Sequence, residues 1–167
     1  LSQALAYLRI GLDKAALLHV FHPKCSDEWI LRRVKATEIL VSGLKLPVVY
    51  VACRLKSLEK LGRLVRGVGA DIGVATDGDG DRAIFAGDNG EVYWGDISSA
   101  LFAVDAVKNR SAKRIVVTIN TSSIVEMMAR KLGGAIYYCD VGPPAIAAKM
   151  KEIGAQLGLE ESGKYIW

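Results

Sequence analysis

Thr76-Asp77-Gly78-Asp79-Gly80-Asp81-Arg82 interrupts an otherwise apolar stretch, with Ile72-Gly73-Val74-Ala75 leading in and Ala83-Ile84-Phe85 leading out. Three carboxylates alternate with two glycines, and an arginine closes the run. The apolar flanks predict a strand on each side, so the acidic loop joins strands rather than helices. Carboxylate and carbonyl oxygens are hard ligands suited to magnesium or calcium. Gly78 and Gly80 let the backbone between the carboxylates turn freely. A glycine-rich turn with incidental aspartates is the alternative, but three like charges this close repel one another without a cation.

Three site types compete for this loop. An EF-hand needs glycine at its sixth position and glutamate at its twelfth. Counted from Asp77, those positions hold Arg82 and Asp88, and that reading fails. A D-x-D phosphatase with an aspartyl nucleophile stays open, because Asp77 and Asp79 also follow a strand. It leaves the third carboxylate and Arg82 unexplained. The third option is phosphosugar chemistry, with a metal gripping a phosphoryl group and Arg82 beside it.

Outward from the loop, Leu55, Leu58, Leu61 and Val65 share one helical face, which predicts an amphipathic helix over 54–66 with an unfavourable Gly62 inside it. A short strand is expected at 91–94 and a helix at 97–108, with Asp96 at its N-cap. A strand at 114–119 follows, then a helix opened by the capping-box spacing of Ser123 and Glu126 and burying Val125, Met128, Ala129 and Leu132. A strand at 135–139, a helix at 145–153 and a strand at 155–159 complete the rhythm. This alternation predicts an α/β fold: two successive three-layer units with mixed, mostly parallel sheets, the first unit incomplete. The boundary is expected near 110–113, giving segments 1–53, 54–110 and 111–167. Residues 1–53 carry no motif; helices at 4–20 and 29–40 and a strand at 46–52 can be drawn there. His19 and His22 have no partner at ligand spacing and read as ordinary surface or half-buried histidines.

Composition narrows the function classes. Of the 167 residues, 51% are apolar and 24% charged, as in globular proteins with a sizeable core. No apolar run is long enough for a membrane span. The net charge of +4 and a pI near 9 come from scattered basic residues with few aromatics among them, which argues against nucleic acid as a partner. Three cysteines without a C-x-x-C pair suggest reduced thiols in the cytoplasm. A start at Leu1 and an end inside the apolar Tyr165-Ile166-Trp167 suggest a piece of something longer.

From Gly69 through Arg82 the sequence resembles the metal loop of the α-D-phosphohexomutases, the family of phosphomannomutase, phosphoglucomutase and phosphoglucosamine mutase. The likeness continues through Gly95-Asp96, 116–120 and Val141-Gly142 to Glu160-Glu161-Ser162-Gly163, similar to the family's sugar-binding G-E-x-S-G. It covers roughly 54–167, identified as the end of the family's second domain and most of its third.

The resemblance implies interconversion of hexose 1-phosphate and hexose 6-phosphate through a phosphoserine and a hexose 1,6-bisphosphate. Asp77, Asp79 and Asp81 would hold Mg²⁺, and Arg82 would sit beside the transferred phosphoryl group. Glu160 and Ser162 would bind ring hydroxyls, and Gly142 and Lys164 would face the substrate. Departures stand out: Leu159 replaces the first glycine of the sugar motif, Lys164 stands where many members have histidine, and Pro143-Pro144 stiffens the substrate-facing loop. No serine loop of the T-A-S-H-N-P type occurs in the sequence, so the chain alone is expected to be inactive. A non-catalytic module binding metal or sugar phosphate is the alternative of a different class. Residues 1–53 do not resemble the start of the second domain, and an altered reading frame or divergent replacement is the expectation there.

Overall fold

The computed structural model describes residues 15–21, 28, 32, 35, 48–54, 59–77 and 80–167. The chain forms two compact units, 1–92 and 93–167. The first is built on a five-stranded sheet in the order β2-β1-β3-β4-β5. Its strands are β1 (Ala15–Phe21), β2 (Val48–Arg54), β3 (Ile72–Thr76), β4 (Ala83–Gly87) and β5 (Val92–Tyr93). β1 lies parallel to both β2 and β3, whereas β4 returns antiparallel to β3 across the acidic loop.

Helix α1 (Glu59–Val68) packs on this sheet. Its Leu61 and Val65 are fully buried against Ala70, Ala75 and Ala86, while Glu59, Lys60 and Arg63 face solvent. Gly62 is explained by its neighbour: a Cβ there would lie 2.1 Å from the carbonyl oxygen of Gly90. Close approach of the turn at 88–90 thus offsets the propensity cost of a helix glycine.

The second unit holds a four-stranded sheet in the order β7-β6-β8-β9, from β6 (Arg114–Thr118), β7 (Ala135–Cys139), β8 (Leu157–Glu160) and β9 (Lys164–Ile166). β6 is parallel to β7 and β8, and β9 is antiparallel to β8. Alternation along the strands splits the core into two layers. Ile115, Val117, Leu157 and Leu159 face α2 (Gly95–Asn109) and α3 (Ser123–Lys131), meeting Ala103, Ala106, Val125 and Ala129. Val116 faces the other way, onto Ile146 and Met150 of α4 (Pro143–Ile153). Each fully buried leucine or isoleucine here contributes roughly 1.5–3 kcal/mol. α4 stops at Gly154, which is left-handed and returns its N–H to the Met150 carbonyl.

Several expectations change. The division falls at 92/93, one helix earlier than 110/111, because α2 buries Ala100, Ala103, Ala106 and Val107 in the second unit's core. Residues 15–20, drawn as helix, form a strand between β2 and β3 in the first sheet. The segment without a motif thus supplies two of that sheet's strands. Of the helix drawn at 54–66, Arg54 ends a strand and 59–66 are helical, while 55–58 lie outside the described residues. Of the helix at 29–40, Arg32 and Lys35 are helical and the rest lies outside the described residues. α3 is capped by Ser122 rather than Ser123, and Glu126 pairs with Arg130 instead of closing a capping box. Leu132, expected in the core, is 43% exposed.

Candidate functional site

In the first unit, β3 delivers Asp77 and β4 carries the chain away after Arg82. The turn between them closes with the Gly80 N–H donating to the Asp77 carbonyl, 3.1 Å away, and Gly80 takes the positive φ of 75° that favours glycine. The backbone N–H of Arg82 donates to Asp77 Oδ1 at 3.3 Å. Its Nε lies 3.6 Å from Asp77 Oδ2 and 3.7 Å from Asp81 Oδ1. Two carboxylates therefore converge on one point of positive charge. At this exposure such pairs contribute little to stability, so the cluster is not explained by ion pairing alone.

Directly before the loop, the Thr76 hydroxyl is buried without a hydrogen-bond partner among the described residues. Asp79 lies outside the described residues, and among the described ones no group of three or more His, Cys, Asp or Glu gathers at metal-binding distance. The donor set nonetheless suits a hard divalent cation, since Asp77 and Asp81 are brought together around Arg82.

In the second unit, candidate groups collect at the carboxyl ends of the parallel strands, the edge where open α/β sheets place their ligands. Glu160 closes β8 and is only 5% exposed. A buried carboxylate needs compensation, and both its oxygens have it. Oε2 accepts from the Gly142 N–H at 3.1 Å, and Oε1 accepts from the Ser162 hydroxyl. Gly163, at a φ of 90°, turns the chain and donates its N–H to the Glu160 carbonyl at 3.0 Å. Lys164 is the antiparallel partner of Glu160 across β8 and β9. Cys139 ends β7; burial, with the Asp140 and Glu160 carboxylates, pushes its thiol above the usual range, so it stays protonated near neutral pH.

Gly142 caps α4 at a φ of 112°. Its carbonyl takes the N–H groups of Ala145 and Ile146, and its own N–H goes to Glu160. Pro143 and Pro144 have no N–H to offer. The start of α4 is thus occupied by a carboxylate of the same chain. Glu160, Ser162 and Gly142 are brought together, with Gly142 holding Glu160 through its amide.

Other contacts were not visible beforehand. Asp96, expected as an N-cap, instead accepts from the Ser122 N–H at 2.8 Å, and α2 begins without a side-chain cap. Asn120 Nδ2 donates to Glu161 Oε1 at 2.8 Å. A Cβ on the buried Gly95 would lie 1.5 Å from the Glu161 carbonyl oxygen. The likeness at Gly95-Asp96 and at 116–120 was the signal in the sequence; it did not say that Asn120 meets Glu161.

Comparison with known proteins gives a consistent picture. Residues 94–167 match the phosphoglucomutase/phosphomannomutase alpha/beta/alpha domain III. Over 113 residues, 66% of the chain, it is 40% identical to a phosphoglucosamine/phosphogalactosamine mutase of Sulfurisphaera tokodaii, of which it covers 25%. The chain spans about a quarter of the length of such curated relatives. The fold is similar to a phosphoglucomutase/phosphomannomutase family protein of Burkholderia thailandensis, with a TM-score of 0.68 at 21% identity over 99% of this chain and 39% of that one. It is also similar to the N-acetylphosphoglucosamine mutase of Aspergillus fumigatus solved with GlcNAc-6P and magnesium, with a TM-score of 0.58 at 15% identity over 99% of this chain and 38% of that one.

Proposed function

The chain belongs to the α-D-phosphohexomutase family, and from that premise we propose that it supplies the metal loop and the sugar loop of an enzyme interconverting hexose 1-phosphate and hexose 6-phosphate. The reaction passes through a phosphoserine and a hexose 1,6-bisphosphate, and the enzyme works on these charged metabolites in the cytoplasm. Among the described residues no helix is long and apolar enough to cross a membrane. The observation that carries the reading is the buried Glu160 carboxylate, held by a donor on each oxygen at the carboxyl ends of β6, β7 and β8. A carboxylate oxygen has room for more than one donor. Glu160 therefore accepts from two vicinal ring hydroxyls while Gly142 and Ser162 keep it oriented, and Ser162 adds a further acceptor. Lys164 offers a positive charge to an anionic group of the substrate.

In the first unit, Asp77, Asp79 and Asp81 would hold Mg²⁺, which would supply charge neutralisation at the oxygens of the phosphoryl group being transferred, most of what such a reaction needs. Arg82 would donate charge-assisted hydrogen bonds to the same group. The sequence holds no T-A-S-H-N-P serine loop, and the 167-residue chain by itself binds without turnover.

Titration calorimetry with α-D-glucose 1-phosphate, with and without Mg²⁺, tests this reading. Binding that is lost in Glu160→Gln supports it; unchanged affinity in that variant would sink the sugar site. Phosphomutase turnover by the purified chain would refute its inactivity. Labelling of Asp77 by beryllofluoride would favour the D-x-D phosphatase instead.

A further inference from the structure

We propose that Gly95, Asp96 and Asn120 are positioning residues that hold the loop of Glu160 to Gly163 in its binding shape; this rests on reading that loop as sugar-binding. None of the three is bonded to the Glu160 carboxylate, yet together they fix its neighbour. The backbone of Glu161 lies against Gly95, where a Cβ would come within 1.5 Å of its carbonyl oxygen. From another side, Asn120 Nδ2 grips the Glu161 side chain at 2.8 Å. Asn120 is itself set by the turn after β6, in which the Thr121 N–H donates to the Thr118 carbonyl at 2.9 Å and the two buried hydroxyls lie 3.1 Å apart. Asp96 ties that turn to the start of α2 by accepting from the Ser122 N–H. A fourth tie, from Ser98 Oγ to Tyr165 Oη at 2.7 Å, secures the outgoing strand β9 to the same helix. The first turn of α2 is thus a clamp on both flanks of the loop, and loop geometry depends on residues that no substrate need touch.

Amide hydrogen exchange of the whole chain, read residue by residue by NMR, tests the clamp. Gly163 and Gly142 report on Glu160 through their bonds to its carbonyl and carboxylate. Ala135 and Ala155, bonded to the Lys113 and Met150 carbonyls, report on the rest of the unit. Gly95→Ala and Asn120→Asp should each speed exchange at Gly163 and Gly142 by about tenfold or more with Ala135 and Ala155 unchanged. Both should weaken α-D-glucose 1-phosphate binding in Mg²⁺ by about tenfold. Adding Glu161→Gln to Asn120→Asp restores a donor–acceptor pair with reversed polarity and should rescue both readouts. Unchanged exchange at Gly163 and Gly142, equal acceleration at all four amides, altered exchange with unaltered affinity, or no rescue would each overturn the proposal. Failure of the unaltered chain to bind the sugar would overturn the sugar-loop reading, while exchange still decides whether the clamp exists.

Discussion

Glu160 gives the sharpest test, because its surroundings treat two substitutions differently. In Glu160→Gln the amide oxygen can take the fixed Gly142 N–H, while its NH₂ donates to Ser162, whose hydroxyl is free to reverse. Both hydrogen bonds survive but lose charge assistance, a loss of about 1 kcal/mol each. Removing a buried charge also returns part of its desolvation cost, so the net destabilisation is about 1–2 kcal/mol. Glu160→Ala instead leaves the Gly142 N–H at the start of α4 without an acceptor and opens a void, at about 3 kcal/mol. Urea unfolding followed by tryptophan fluorescence and far-UV circular dichroism orders the variants: native, then glutamine, then alanine. An alanine variant as stable as the native chain, or a glutamine variant less stable than alanine, would refute the claim that Gly142 and Ser162 hold this carboxylate.

Burial pushes the Tyr165 phenol up to about 12, against the lowering effect of its bond to Ser98. The unfolded phenol ionises near 10 and the folded one near 12, so stability is nearly intact below pH 10 and falls by about 2.3 kcal/mol as pH rises to 12. Tyr165→Phe should flatten most of that fall, as read by thermal melts across pH 9–12; an identical pH profile would contradict it. Gly62→Ala drives a methyl onto the Gly90 carbonyl oxygen and should cost the first unit about 1–3 kcal/mol, measured by urea unfolding. Asp81→Asn should weaken Mg²⁺ binding by about tenfold or more in calorimetry, whereas Asp88→Asn, in the turn beyond β4, should leave it unchanged.

The parts of the fold visible in the sequence are those where one face of an element is buried. The β-branched run at 114–118 and the segment at 135–139 read directly as β6 and β7. β1 was missed because Ala-Ala-Leu-Leu-His-Val-Phe has no alternation, and a central parallel strand shows a continuous apolar run that periodicity cannot separate from helix. The division at 92/93 was missed because the polar stretch at 110–113 looks like a linker; it is a tight turn, where the Ala112 N–H returns to the Ala106 carbonyl and Ser111 takes a positive φ. Asp96 and Ser123 both stand where caps are expected, but a cap depends on where the side chain finds its donor. Asp96 found one on another loop. Among the candidate residues, Asp77 and Asp81 in the first unit and Glu160 and Ser162 in the second are legible from their motifs, whereas the hold of Gly142 on Glu160 and the Asn120 bond to Glu161 exist only once distant loops meet.

The place of β1 in the first sheet also sets an order of events for a chain leaving the ribosome. β1 emerges before its two neighbours, β2 and β3, and the register from Ala15 to Ile72 closes only after Thr76 has been made. The second unit needs only the span from 93 to 167 for its own sheet. Pairing at such separation is entropically late, so the first unit carries the slower search. An apolar β1 awaiting its partners is then a segment exposed to aggregation during synthesis.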